Sequence, residues 1–138
     1  PSVVSHQHAP VPLPNGHILA FDNGNFREGA HVVFSRVVDI DPATHQVAWS
    51  YMDQAVTPFF TPFMGNAQRL PNGNTHITES HSGRLFEVTP EGEVVWEYII
   101  PWFAPYPDEA ARKTGGGMLN SVFQTFRYQA DQLPWLKK

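Results

Sequence analysis

One phrase of this sequence occurs twice: Leu13-Pro14-Asn15-Gly16-His17-Ile18 returns as Leu70-Pro71-Asn72-Gly73-Asn74-Thr75, a shift of 57 positions from Leu13 to Leu70. The agreement runs past the turn. In the first copy Ile18-Leu19-Ala20-Phe21 leads to Arg36-Val37-Val38-Asp39-Ile40 and then to Val47-Ala48-Trp49-Ser50-Tyr51. In the second, Thr75-His76-Ile77-Thr78 leads to Arg84-Leu85-Phe86-Glu87-Val88 and then to Val94-Val95-Trp96-Glu97-Tyr98. Pro-Asn-Gly and Pro-Glu-Gly between apolar runs are hairpin chemistry, because Gly supplies the positive φ that a tight turn needs. Alternation such as Leu85, Glu87 against Phe86, Val88 is the period of a half-buried strand.

Each copy therefore reads as four short antiparallel strands with a Trp near the end of the fourth, which is the sequence form of a propeller blade. A sandwich also alternates and turns, but it rarely repeats a whole turn-strand-turn-strand phrase with the same Trp-x-Tyr ending. The fold class is all-β, a β-propeller, with this chain supplying about two four-stranded blades plus a closing strand. The organisation follows: blades over residues 1–56 and 57–100, a loop insertion over 101–120, and a closing strand with C-terminal tail over 121–138. Helix signals are weak. One short candidate, about 108–113, has an acidic start and a basic end and is stopped by Gly115-Gly116-Gly117. Two blades cannot close a ring, so the remaining blades are expected from a second polypeptide or from N-terminal sequence.

Composition narrows the partners. The chain has 138 residues, 9 Lys or Arg against 13 Asp or Glu, and a formal charge of -4. It carries no basic run of the kind that neutralises phosphates, so neither nucleic acid nor a membrane surface is an expected partner. Its 41% hydrophobic residues are enough for a real core, and the absence of cysteine excludes a thiol nucleophile and zinc–thiolate sites within the chain. A start at Pro1-Ser2 without a signal-type apolar stretch reads as a processed chain or a fragment.

Strand geometry then gathers the ionisable residues. In an antiparallel hairpin the start of one strand lies beside the end of the next, which puts His6 and His8 near Asp22 and Asn23, and Gly65 and Asn66 near Glu79 and His81. Both groups fall on one rim of the sheets, with the Pro-Asn-Gly turns on the other. Polar groups gathered at one mouth of a propeller channel are the default site. The apolar loop Pro58-Phe59-Phe60-Thr61-Pro62-Phe63-Met64 precedes the strand that starts near Gly65, and Phe60 and Phe63 are placed in the wall of that site. His76 is read as a packed strand residue, His17 and His45 as solvated turn residues, and Trp49 and Trp96 as packing between blades.

The phrases His8-Ala9, Leu13 through Gly24 (ending Phe21-Asp22-Asn23-Gly24), Gly65 through Thr75, and Glu87 through Tyr98 together resemble the bacterial arylsulfate sulfotransferase family, and Phe126-Arg127-Tyr128 is similar to that family's C-terminal stretch. The resemblance covers nearly the whole chain. It implies a six-bladed propeller, a periplasmic or secreted location, and a channel histidine that takes a sulfuryl group from one phenolic sulfate and passes it to another phenol. The matching histidine is His8; the rim geometry, independently of the resemblance, adds His81 as the second catalytic candidate and Asp22, Asn23, Asn66 and Glu79, with Phe60 and Phe63 of the apolar loop, as the substrate-binding set. A neutral imidazole nitrogen is nucleophilic near neutral pH, and the cationic adduct is a good leaving group. No cofactor is required for that chemistry, and the expected ligand is a small aromatic molecule. The chain departs from the family pattern at His17, His76 and His81.

Two other functions stay open on the residues alone. His6, His8 and His81 could hold a metal ion for a lyase or hydrolase on the same scaffold, since imidazole suits first-row transition ions and His6-x-His8 on a regular strand shares one face. A non-catalytic propeller would instead present the aromatic loops as a binding platform.

Overall fold

The repeated phrase folds as a repeated sheet. In the computed structural model, which describes residues 2–53, 59–114 and 117–136, the first copy forms β1 (Gln7–Pro12), β2 (Ile18–Asp22), β3 (Arg36–Asp41) and β4 (Gln46–Tyr51). The second forms β5 (Asn66–Arg69), β6 (Thr75–Glu79), β7 (Arg84–Val88) and β8 (Val94–Ile99). Each set is a four-stranded antiparallel meander in chain order. The two Pro-Asn-Gly turns are the same object twice. Leu13 N–H donates to His17 O at 2.8 Å and Gly16 N–H to Leu13 O at 2.9 Å, while Leu70 and Gly73 make the equivalent bonds at 2.8 and 3.0 Å. Gly16 and Gly73 sit at φ +88° and +89°, where a side chain would be strained. The fourth strand is bulged at matching places, between Asp39 and Ile40 in one sheet and Glu87 and Val88 in the other, and this brings Trp49 opposite Asp39 and Trp96 opposite Glu87.

The core lies between the sheets. Leu19, Phe21, Val37 and Tyr51 of the first sheet meet Ala67, Ile77, Phe86 and Val88 of the second, all buried. Phe59, from the connecting loop, is inserted among them, with ring centroids 5.4 Å from Phe21 and 5.7 Å from Phe86. This loop was expected to wall a pocket; Phe59 is core instead, because burying it between two aromatic faces removes a large apolar surface from water. Pro58, the first residue of that stretch, lies outside the described residues. Charged side chains close the two ends of the seam. At one end Arg69 reaches Asp39 at 3.3 Å and lies over the Trp49 ring. At the other, Arg84 reaches Asp53 at 2.7 Å and Glu79 at 3.5 Å. Trp49 therefore does pack between the sheets, its Nε1–H donating to Pro90 O at 2.7 Å.

Four expectations change. The segment 121–128 is not a ladder strand. It crosses the outer face of the second sheet and is caught by side chains: Asn66 and Gln68 each bond both the N–H and the C=O of a tail residue, Thr125 and Arg127 respectively. Amide side chains project from the face of a sheet, so a segment they hold cannot also join the edge ladder. The insertion 101–120 holds the expected short helix, Glu109–Thr114 (α1), but around it Ala104–Pro105 (β9) pairs with Met118–Leu119 (β10) where only loop was expected. His17 is not a solvated turn residue, because its Nδ1 lies 2.8 Å from Asp39 Oδ1. Trp96, unlike Trp49, is partly exposed on the outer face, stacked on Tyr98 and covered by Arg127.

Candidate active site

The rim opposite the Pro-Asn-Gly turns is organised around a buried amide. Asn23 follows β2 directly and is 0% exposed. Its Nδ2 donates to two backbone carbonyls of the connecting loop, Thr61 O at 2.8 Å and Met64 O at 2.9 Å. A primary amide has two N–H donors, and both are thereby used. The opposite orientation would set Oδ1 against two carbonyl oxygens, so the amide has one orientation and Oδ1 is an acceptor. His8 Nδ1 lies 2.6 Å from that oxygen. His8 Nδ1 must therefore carry the proton, and the lone pair of the neutral ring resides on Nε2.

Thr61 joins the second histidine to the same arrangement. Its Oγ1 accepts the His81 N–H at 3.0 Å and donates to Phe63 O at 3.1 Å, and its own N–H donates to Ser35 Oγ at 3.0 Å. Ser35 Oγ in turn donates to Asn23 O at 3.0 Å. Phe63, half exposed, sets its ring edge-on to His81 with centroids 5.8 Å apart. The backbone is bent to make this fit. His6 and Met64 both have positive φ, +58° and +64°, and Gly65 follows at +98° with Phe21 against the place where a Cβ would stand.

The expected site residues thus divide. His8, Asn23, His81 and Phe63 come together on one rim. His6 lies edge-on to His8 with centroids 5.7 Å apart. Asp22 is committed elsewhere: its buried carboxylate accepts from Arg36 Nε at 2.8 Å, Arg27 Nη2 at 3.1 Å and Ser5 N–H at 2.8 Å. Asn66 holds the tail. Glu79 is nearly buried at the seam, where desolvation raises its pKa against the pull of Arg84 and of the Phe60 N–H bond. Phe60 is half-buried beside it. Among the described residues no three His, Asp or Glu side chains gather into a set that could hold a metal ion. His76 is buried as expected; its Nε2 meets Thr125 Oγ1 at 2.8 Å, and desolvation, reinforced by Arg127, lowers its pKa to about 4.

Sequence reasoning missed Ser35 and Thr61. Both act through one hydroxyl and through backbone groups, so residue type alone gave no signal of them.

Antiparallel four-stranded blades packed face to face, with a histidine rim at one end of the seam, define a β-propeller architecture. Residues 2–100 match the family described as Arylsulfotransferase (ASST), and the chain belongs to that family. No curated protein and no solved structure matches it.

Proposed function

We propose that this chain carries the nucleophile of an aryl sulfate:phenol sulfuryl transfer, and that the nucleophile is His8 Nε2. The observation behind this reading is the His8–Asn23 bond: with the proton on Nδ1, the other ring nitrogen is left with a lone pair at the rim. In the first half-reaction Nε2 attacks the sulfur of an aryl sulfate, the N–S bond forms, the S–O(aryl) bond breaks, and the phenolate leaves to take a proton. In the second, an acceptor phenol gives up its proton and attacks the same sulfur, and the N–S bond breaks to restore His8. His81, whose main chain is tethered to Thr61 on the same rim, is assigned the proton transfers to and from the phenol oxygens. The half-exposed ring of Phe63 suits an aromatic ligand.

Membership of the arylsulfotransferase family and the apolar side chains left exposed on the fourth strand of each sheet, Val47 in β4 and Val94, Val95 and Ile99 in β8, support a ring completed by further blades, with the groups that hold the sulfate oxygens supplied from them. No helix among the described residues is long and apolar enough to cross a membrane, and a periplasmic or secreted location belongs to the same proposal. The test is turnover of a chromogenic aryl sulfate with a phenol acceptor by the native assembly. His8→Ala should abolish transfer, and His81→Ala should reduce it by roughly 10²-fold or more, the usual contribution of a general acid–base group. Undiminished turnover in His8→Ala would end the proposal.

A further inference from the structure

Four groups hold Asn23: the carbonyls of Thr61 and Met64 in the chain between β4 and β5, the Ser35 hydroxyl just before β3, and His8 on β1. Asn23 is fully buried and every hydrogen-bonding group of its side chain is occupied by the protein. It has no donor left for a sulfate oxygen. A residue so placed acts on the substrate only through His8.

We propose that Asn23 is a positioning residue, not a substrate ligand, and that it makes the connecting loop 59–64 responsible for the tautomer of His8. The loop carbonyls fix the amide, the amide fixes the Nδ1 proton, and the proton fixes which nitrogen is nucleophilic. Released from those carbonyls, the amide could turn its NH₂ toward His8, which would then accept at Nδ1 and carry its proton on Nε2, where it cannot attack sulfur. Phe59 and Thr61 pin the loop on either side of Phe60, Phe59 by its ring in the core and by its carbonyl, which accepts Ser35 N–H at 2.7 Å. The loop is thus held in the state that arms His8. Thr61 extends the same control to His81 through the main chain. The effect on turnover rests on the reading of His8 as the nucleophile; the assignment of the tautomer does not.

The experiment is ¹⁵N-detected NMR of the imidazole nitrogens in the chain labelled at histidine, with Asn23→Ala and Asn23→Asp beside the wild type. Wild-type His8 should show a protonated Nδ1 and an unprotonated Nε2. Asn23→Ala should move the proton to Nε2 and lower kcat for aryl sulfate by roughly 10- to 100-fold with KM little changed, the scale on which orienting partners of a functional histidine act. Asn23→Asp keeps an acceptor for Nδ1–H and should keep the wild-type tautomer while losing both bonds to the loop. If Asn23→Ala does not fold, Asn23→Asp decides alone: a ring protonated on Nε2 and bare at Nδ1 there overturns the assignment, as does such a ring in the wild type, whereas a carboxylate that draws a second proton onto the ring leaves Nδ1 protonated as assigned. A wild-type Nδ1 proton in an assembly that transfers no sulfuryl group supports the positioning role and sinks the transferase reading.

Discussion

Phe59→Ala tests whether the two sheets are joined by the ring that the connecting loop drives between them. Phe59 is 3% exposed, and its centroid lies 5.4, 6.0 and 5.7 Å from those of Phe21, Tyr51 and Phe86. Truncation removes the transfer energy of the ring and leaves a cavity walled by aromatics on three sides, which relax poorly because each is held in a strand. The expected loss is about 3–5 kcal/mol, while Phe59→Leu, which refills part of the space, should lose about 1–2 kcal/mol. Urea unfolding followed by tryptophan fluorescence reads both, and the slope with urea should be unchanged, so that the midpoint carries the effect. The same truncation should loosen Thr61 and Met64 from Asn23, so turnover should fall further than the unfolded fraction explains. A loss below about 1 kcal/mol, the range of ordinary surface substitutions, would refute the view that this loop is the keystone of the seam.

Other consequences follow from the same geometry. Asp22→Asn leaves Arg27 and Arg36 facing a neutral amide at a buried position and should cost about 3 kcal/mol in chemical denaturation. Gly65→Ala combines a left-handed backbone with a Cβ pressed against the Phe21 ring, and a thermal-melt loss corresponding to about 2–4 kcal/mol is expected. His76 is neutral in the fold down to about pH 4 but takes a proton near 6.5 when unfolded, so the unfolded state binds more protons across that window. Stability should therefore fall as pH drops from 6.5 toward 4, by on the order of 2 kcal/mol from this residue, and His76→Gln should flatten that part of the profile.

The parts of the fold visible in the sequence are those fixed by neighbours along the chain. Pro14-Asn15-Gly16 and Pro71-Asn72-Gly73 dictate their turns because only Gly adopts the required φ cheaply, and the strands on either side inherit their register from the turn. The pairing of His8 with Asn23 was visible for the same reason, being the two ends of one hairpin. What escaped notice depends on groups far apart in sequence. Phe59 looks like an exposed loop aromatic until Phe21, Tyr51 and Phe86 surround it. His17 looks solvated until Asp39 arrives from another strand. The tail looks like a closing strand because its composition is that of a strand, yet the polar outer face of the second sheet, with Asn66, Gln68 and Thr78 aligned, offers it side-chain bonds in place of a ladder. Asp22 looks like a ligand from its position, and only the guanidinium groups around it show that its charge is already matched.

Sulfuryl transfer through His8 requires a covalent adduct on that ring. The most direct measurement is mass spectrometry of the assembly quenched after brief exposure to an aryl sulfate without acceptor, digested under mildly alkaline conditions that spare an N–S bond. One added SO₃ is expected on the peptide that contains His8, discharged when a phenol is supplied and missing from His8→Ala. An adduct on another residue, or turnover with no adduct on His8 at any time, would contradict it.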